Sequence, residues 1–244
     1  MSRSIKQRES GGYWISFSDL MTGLMVVFMF IAISYINKVR EEQQQRDIVF
    51  EEFKATKDEL YAELEQTFKD DFKKWEMVLD KDLSIKFTNP DVLFAPAQTH
   101  IRPKFAAILE DFLPRYFGVL LSDKYDGRVS EIRIEGHTDM KPAYSYDNDP
   151  YIGNVMLSQL RSAQVLKYFR QMPFYQNLPT KKEERLQFLL TANGLSYGRT
   201  LDENHELTSS SGKAPNNEFS RRVEFRIITN SEQVVDRVLN ELSR

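Results

Sequence analysis

Asp19 stands in surroundings that ask more of it than of any other acid in the chain. From Trp14 to Ile36 the sequence WISFSDLMTGLMVVFMFIAISYI holds one acidic or basic residue in 23 positions. A charged carboxylate in hydrocarbon costs at least about 2.5–3.5 kcal/mol, so such groups face a protein interior and mark ion or proton paths. Low-dielectric surroundings disfavour the charged form of a carboxyl group. Its charge then follows its access to water, neutral when sealed and ionised when a polar path opens, as an ion carrier requires. On a helix Ser16, Asp19, Thr22 and Gly23 fall at i−3, i, i+3 and i+4 and form a stripe of small and polar residues suited to close helix packing. Leu20, Leu24, Val27, Phe28 and Ile31 offer an apolar side to lipid or to partner helices. One helix cannot enclose an ion path, so the acid implies partner helices. The competing reading makes Asp19 an interfacial helix N-cap, with a span of 17 residues from Leu20 to Ile36, the short edge of the spanning range.

A second pair of residues has binding chemistry. Asp139 follows a strand-like run and a glycine, where a loop can present a carboxylate; Arg161 lies in the first turns of a helical pattern. An acid and an arginine on one site hold a zwitterion, with ammonium on the carboxylate and carboxylate on the guanidinium fork. The bland alternative is a salt bridge between the two. Asp139 and Glu135 lie four apart with no assisting group, so the sequence predicts no enzyme. It predicts no metal site either, because His100 and His205 show no ligand spacing. The absence of cysteine excludes thiol nucleophiles, disulfides and zinc-thiolate sites. A net charge of -3, with no strongly basic domain, gives no reason to expect nucleic acid.

The elements that position these residues fall into segments. Trp14–Ile36 as a helix is about 34 Å long, enough for a hydrocarbon core of about 30 Å, and Asn37-Lys38-Val39-Arg40 offers no signal-peptide cleavage site. Arg3, Lys6 and Arg8 precede the span against Glu9, and Glu41 and Glu42 follow it. The short tail 1–13 is therefore expected inside and the bulk outside. Residues 37–82 contain neither Gly nor Pro, and Val49, Phe53, Leu60, Leu64, Phe68, Phe72, Trp75 and Leu79 recur at near-helical spacing. They read as a helical linker, either solvated or paired with a second copy, and as a possible plug or dimer segment. From about residue 83 strand patterns (84–87, 131–135, 188–192, 223–228) alternate with helical ones (104–116, 157–172). The fold class is α+β: one N-terminal transmembrane helix, a helical linker and a βαβαβ-type domain over 83–244.

Two family resemblances attach to these residues. Trp14-Ile15-Ser16-Phe17-Ser18-Asp19-Leu20-Met21-Thr22-Gly23-Leu24-Met25 resembles the span of the MotB family of stator subunits. That implies Asp19 as the ion-translocating carboxylate, with Ser16 and Thr22 in support, a pentamer of a MotA-like partner around two copies of this chain, and protons as the coupling ion with sodium still open. No other cofactor is implied. The blocks Ile134-Glu135-Gly136-His137-Thr138-Asp139, 154–163, Thr191-Ala192-Asn193-Gly194 and Arg221-Arg222-Val223-Glu224 resemble the OmpA-like peptidoglycan-binding domain. That implies binding of diaminopimelate in the wall peptide by Asp139 and Arg161, support from Thr138, Asn154 and Arg221, and a scaffold role for His137. It also implies a bacterial inner-membrane protein with a periplasmic C-terminal domain.

The match has departures. Asp139 and Arg161 are 22 apart, about seven more than the family pattern; the extra residues fall in Met140–Gly153, and Ser220 stands where Asn is usual. The short tail and long loop resemble the B subunits of the Zorya anti-phage defence system more than flagellar MotB. The functional expectation is a wall-anchored stator-type motor subunit, with a flagellar stator subunit or a passive wall tether as alternatives.

Overall fold

The computed structural model describes residues 11–230 apart from Pro96. The basic residues of the tail and the last fourteen residues lie outside the described part, as do the side chains of Ser16, Val49 and Phe53. The chain divides into two compact units, 1–52 and 53–244.

The first unit consists of the N-terminal part of α1 (Gly11–Phe68). Within it Phe17–Ile48 is long and apolar enough, by length and composition, to cross a membrane. Because α1 begins at Gly11, Asp19 lies more than two turns inside it, which overturns the N-cap alternative. Thr22 lowers its own polarity by donating its hydroxyl to the Ser18 carbonyl, 2.8 Å away.

The second unit begins inside the same helix. Thr56, Leu60, Leu64 and Phe68 recur every fourth residue and are buried, the last three completely. They pack into the core of the C-terminal unit and are not free to meet a second copy, so this part of the stripe expected of a paired linker belongs to the domain. The helix stops at Phe68, turns follow, and Glu76 takes a left-handed φ of 49°. Here the expected linker 37–82 is corrected: Met77–Leu79 is a strand, β1, and Trp75 and Met77 are core residues.

The remaining elements in order are β2 (Ser84–Phe87), α2 (Pro90–Leu93), α3 (Pro103–Leu120), β3 (Val129–Gly136), α4 (Pro150–Gln171), α5 (Pro173–Gln176), α6 (Thr180–Leu189), β4 (Leu190–Gly194), α7 (Thr208–Ser211), α8 (Asn217–Ser220) and β5 (Val223–Thr229). The sheet has the order β1-β2-β5-β3-β4; β3 and β4 run parallel and every other pair is antiparallel. A parallel pair needs a crossover, which α4, α5 and α6 supply. Strand alternation sorts the two faces. Val223, Phe225 and Ile227 of β5 are in the core, where Phe225 packs 5.1 Å from Phe112 and Phe87 packs 5.0 Å from Phe112. Glu224 and Arg226 occupy the alternate positions, in a polar cluster.

Two glycines set how α4 crosses the sheet. A Cβ on Gly136 would overlap the Ser158 carbonyl, and one on Gly194 would overlap the Gln159 backbone. The strand ends therefore admit the helix backbone directly. The helix starts at Pro150, before the expected Leu157, because Asp149 caps it by accepting from the Tyr151 and Ile152 amides at 2.8 and 3.3 Å. The long loop thus ends at Asp149, and Arg161 sits in mid-helix, not in its first turns.

Candidate peptide-binding pocket

Strand β3 delivers its last residues into a loop whose backbone is held from both sides. The His137 amide donates to the Arg222 carbonyl and the Thr138 amide to the Ser196 carbonyl, both at 3.0 Å. Asp139 then folds the chain into an Asx turn, its Oδ1 accepting from the Lys141 amide at 3.0 Å. Its Oδ2 accepts from Arg221 Nη1 at 2.6 Å. The ion pair of Asp139 is thus with Arg221, just ahead of β5, and not with Arg161 as the bland sequence reading had it.

Arg161 reaches the same place from α4. It is 6% exposed, donates from Nε to the Gln98 carbonyl at 2.9 Å and from Nη2 to the Ala95 carbonyl at 3.3 Å, and lies over the Phe94 ring with 5.1 Å from its guanidinium carbon to the ring centre. Burial pushes its pKa down to about 10, partly opposed by Tyr146 and Asp139. The group stays charged near neutrality, at a desolvation cost that an anion would relieve. Asn154 is committed to the scaffold, its amide donating to the Lys141 and Pro150 carbonyls at 3.0 Å each. Thr138 Oγ1 is buried without a hydrogen-bond partner.

Asp139, Arg161, Thr138, Asn154 and Arg221 all line one pocket of about 330 Å³. The walls the sequence did not single out are Leu93 at the end of α2, Phe94 and Ala97 just after it, and Lys141, Pro142 and Ala143 of the long loop. Tyr146 ties that loop across to the Ala97 carbonyl at 3.1 Å. Ser220 fills a structural role, accepting from the Leu201 amide at 3.1 Å and donating to the Asn216 carbonyl at 2.6 Å.

A second cluster was missed in sequence because its members come from two strands. Glu135 and Glu224 face each other across β3 and β5, and His137 lies beside both, with Nε2 at 2.7 Å from Glu224 and 3.6 Å from Glu135. These three buried groups have metal-ligand spacing. Their charge, however, is already matched: Arg222 lies 3.1 Å from Glu224, Arg226 3.5 Å from Glu135, and Lys86 3.9 Å from Glu224. A metal ion would have to enter among these cations, so the cluster fits an internal ionic scaffold. Burial opposes ionisation of Glu224, but its bond to His137 and the charge of Arg222 outweigh it and hold the carboxyl far below its usual range.

Asp19 belongs to the other unit. It is exposed on the isolated chain, as are Leu20, Leu24, Val27, Phe28 and Ile31 around it.

No protein-family model matches the chain. A relative, the Zorya protein ZorB of Escherichia coli strain ATCC 8739 (Crooks), is 36% identical over 238 residues, covering 97% of this chain and 96% of its own. A second Zorya protein ZorB, from Escherichia coli O139:H28 strain E24377A, is 24% identical over 217 residues, covering 88% and 79% respectively. Among solved structures, the cell wall anchor of the T6SS from Pseudomonas aeruginosa matches at 21% identity with a TM-score of 0.43, over 68% of this chain and 97% of that one. The periplasmic domain of MotB matches at 18% identity with a TM-score of 0.39, over 65% and 70%.

Proposed function

The chain belongs to the family of the Zorya protein ZorB, and from that premise we propose that it is the B subunit of an ion-driven, wall-anchored rotary motor of the bacterial inner membrane, serving anti-phage defence. The N-terminus lies in the cytoplasm and the C-terminal domain in the periplasm. Two copies stand inside a ring of MotA-like partners, five in the resembled architecture. The pocket holds the diaminopimelate end of a wall peptide, ammonium on Asp139 and carboxylate on Arg161, with Thr138 Oγ1 free to add a hydrogen bond and Arg221 orienting the acid. Wall binding keeps the spans from turning. Protons then pass by way of Asp19, and each change of its charge steps the ring. One charge falling through 100 mV releases about 2.3 kcal/mol, so successive ions can drive rotation.

The observation that carries this reading is Asp19 itself. It is a carboxylate inside a continuous apolar helix, with no ion-pair partner among the described residues. Such a group is stable in a membrane only if partner helices or a polar path receive it. The test is Asp19→Asn, which removes the titrating group at nearly constant volume. Loss of phage protection and of proton flux, with the protein still inserted and wall-bound, is the expected result. Full protection by Asp19→Asn would reduce the chain to a passive tether.

A further inference from the structure

The pocket carries more positive charge than a diaminopimelate side chain can use. Four cationic residues line it: Lys141, Arg161, Arg221 and Arg222. Two are neutralised within the protein, Arg221 by Asp139 at 2.6 Å and Arg222 by Glu224 at 3.1 Å. Among the described residues no carboxylate lies within ion-pair distance of the other two. Arg161 meets only carbonyls and a ring, and Lys141 is exposed on the pocket wall.

A diaminopimelate side chain ends in one ammonium and one carboxylate. If the ammonium meets Asp139, which it then shares with Arg221, and the carboxylate meets Arg161, no anion of the pocket or of that side chain is left for Lys141. Nor is Lys141 an ordinary mobile surface lysine. Its amide is fixed to Asp139 Oδ1 and its carbonyl to the Asn154 amide, both at 3.0 Å, so its backbone is built into the same turn that presents the acid. A cation whose backbone is anchored in the pocket wall selects for a second anion by complementarity.

We propose that Lys141 is a specificity residue that reads a second carboxylate on the wall peptide, one outside the diaminopimelate side chain, so that the pocket prefers free-acid stem peptides to amidated ones. This rests on the wall-peptide reading above and adds to it a choice among wall chemistries.

The test is calorimetric titration of the full-length chain in detergent with two synthetic stem peptides containing diaminopimelate. One is the free acid; in the other every carboxyl outside the diaminopimelate side chain is a primary amide. The wild type should bind the free acid about tenfold more tightly, the size of one charge-assisted contact at a half-open site. Lys141→Gln should bind both peptides at the amidated level, and Lys141→Arg should restore the preference. Because Lys141 is exposed, unchanged melting temperatures should accompany both variants. A preference that survives Lys141→Gln, or a wild type without one, would overturn the proposal. Failure of the wild type to bind either peptide would overturn the wall-peptide reading itself, and this inference with it.

Discussion

The two units each hold an aspartate of functional interest, and the chain treats them in opposite ways. Asp139 is completed by its own chain: Arg221 takes one oxygen at 2.6 Å and the Lys141 amide takes the other at 3.0 Å. It is 4% exposed and held on a turn braced from β3, α4 and β5. Asp19 has no such partner among the described residues, and its apolar neighbours are exposed. A site that must present one fixed geometry is preorganised by internal hydrogen bonds, because a loose acid would lose binding energy to ordering. A site whose charge must change cannot be locked by a permanent cation, since that would hold the carboxyl ionised. The first site is finished within one chain; the second, on the function proposed above, is finished by partner helices.

The strongest way to break this contrast is to exchange the roles by mutation. Asp19→Asn should abolish ion flux in proteoliposomes containing the assembled complex and leave sedimentation with isolated cell walls unchanged. If wall binding fell as well, the two sites would not be separable. Next in size is a truncation. A fragment starting at residue 53 keeps Leu60, Leu64, Phe68 and β1 and should fold with a cooperative thermal transition. One starting at residue 83, the boundary the sequence suggested, loses three fully buried side chains and the edge strand. Deleting even one such Leu side chain costs about 2–5 kcal/mol, against a typical total of about 5–15 kcal/mol, so that fragment should be unfolded by circular dichroism.

That boundary shows what the sequence could and could not say. Helical spacing of Leu60, Leu64 and Phe68 was legible, but spacing tells which face is apolar and not what covers it. A partner helix and the domain's own core demand the same pattern. Trp75 and Leu79 continued the pattern by coincidence, in turns and in β1. The strands β2, β3 and β5 were legible from alternation, whereas Phe188 and Leu189 proved to be the end of α6, because short apolar runs do not separate helix from strand. Of the pocket, the five residues in family-like blocks were found. Phe94 and Ala97 were not, since they enter from a segment with no motif and only the fold brings them to Arg161. The Glu135–His137–Glu224 cluster was hidden for a related reason: cross-strand register is not written locally.

A smaller effect sharpens the comparison from the pocket's side. Arg161→Met removes a buried cation that, on the function proposed, meets an opposite charge when a ligand carboxylate arrives. Wall-peptide affinity should fall about 100-fold, the usual scale for one partner of a buried charged contact. Folding stability should change by less than about 1 kcal/mol, because the lost bonds to the Ala95 and Gln98 carbonyls are offset by relief of desolvation. Asp19 allows no comparable dissection in the isolated chain. If denaturant titration instead showed Arg161→Met to be strongly destabilising, the residue would be a structural pin for the 94–98 segment, and its place in the pocket would be incidental.

The smallest effect is a pH dependence that belongs to the C-terminal unit. Glu224 has its carboxyl held below its ordinary value of 4.5, burial opposing ionisation and the His137 hydrogen bond and Arg222 outweighing it. Asp82 is lowered too: burial raises it, and Ser84 and Arg226 more than compensate. A group whose folded pKa is depressed adds stability that is complete above its unfolded value and is lost as pH falls towards the folded one. The share of stability due to Glu224 and Asp82 should therefore be constant from neutrality down to about pH 5, and on the order of 2 kcal/mol of it should be lost on further acidification. Glu224→Gln should flatten that slope, because the neutral amide binds no proton in either state. An acid limb as steep in Glu224→Gln as in the wild type would place the linkage elsewhere and leave the ionic scaffold behind the pocket without a measurable share in holding it. A fragment starting at residue 53 keeps both Glu224 and Asp82 and should reproduce this limb in full.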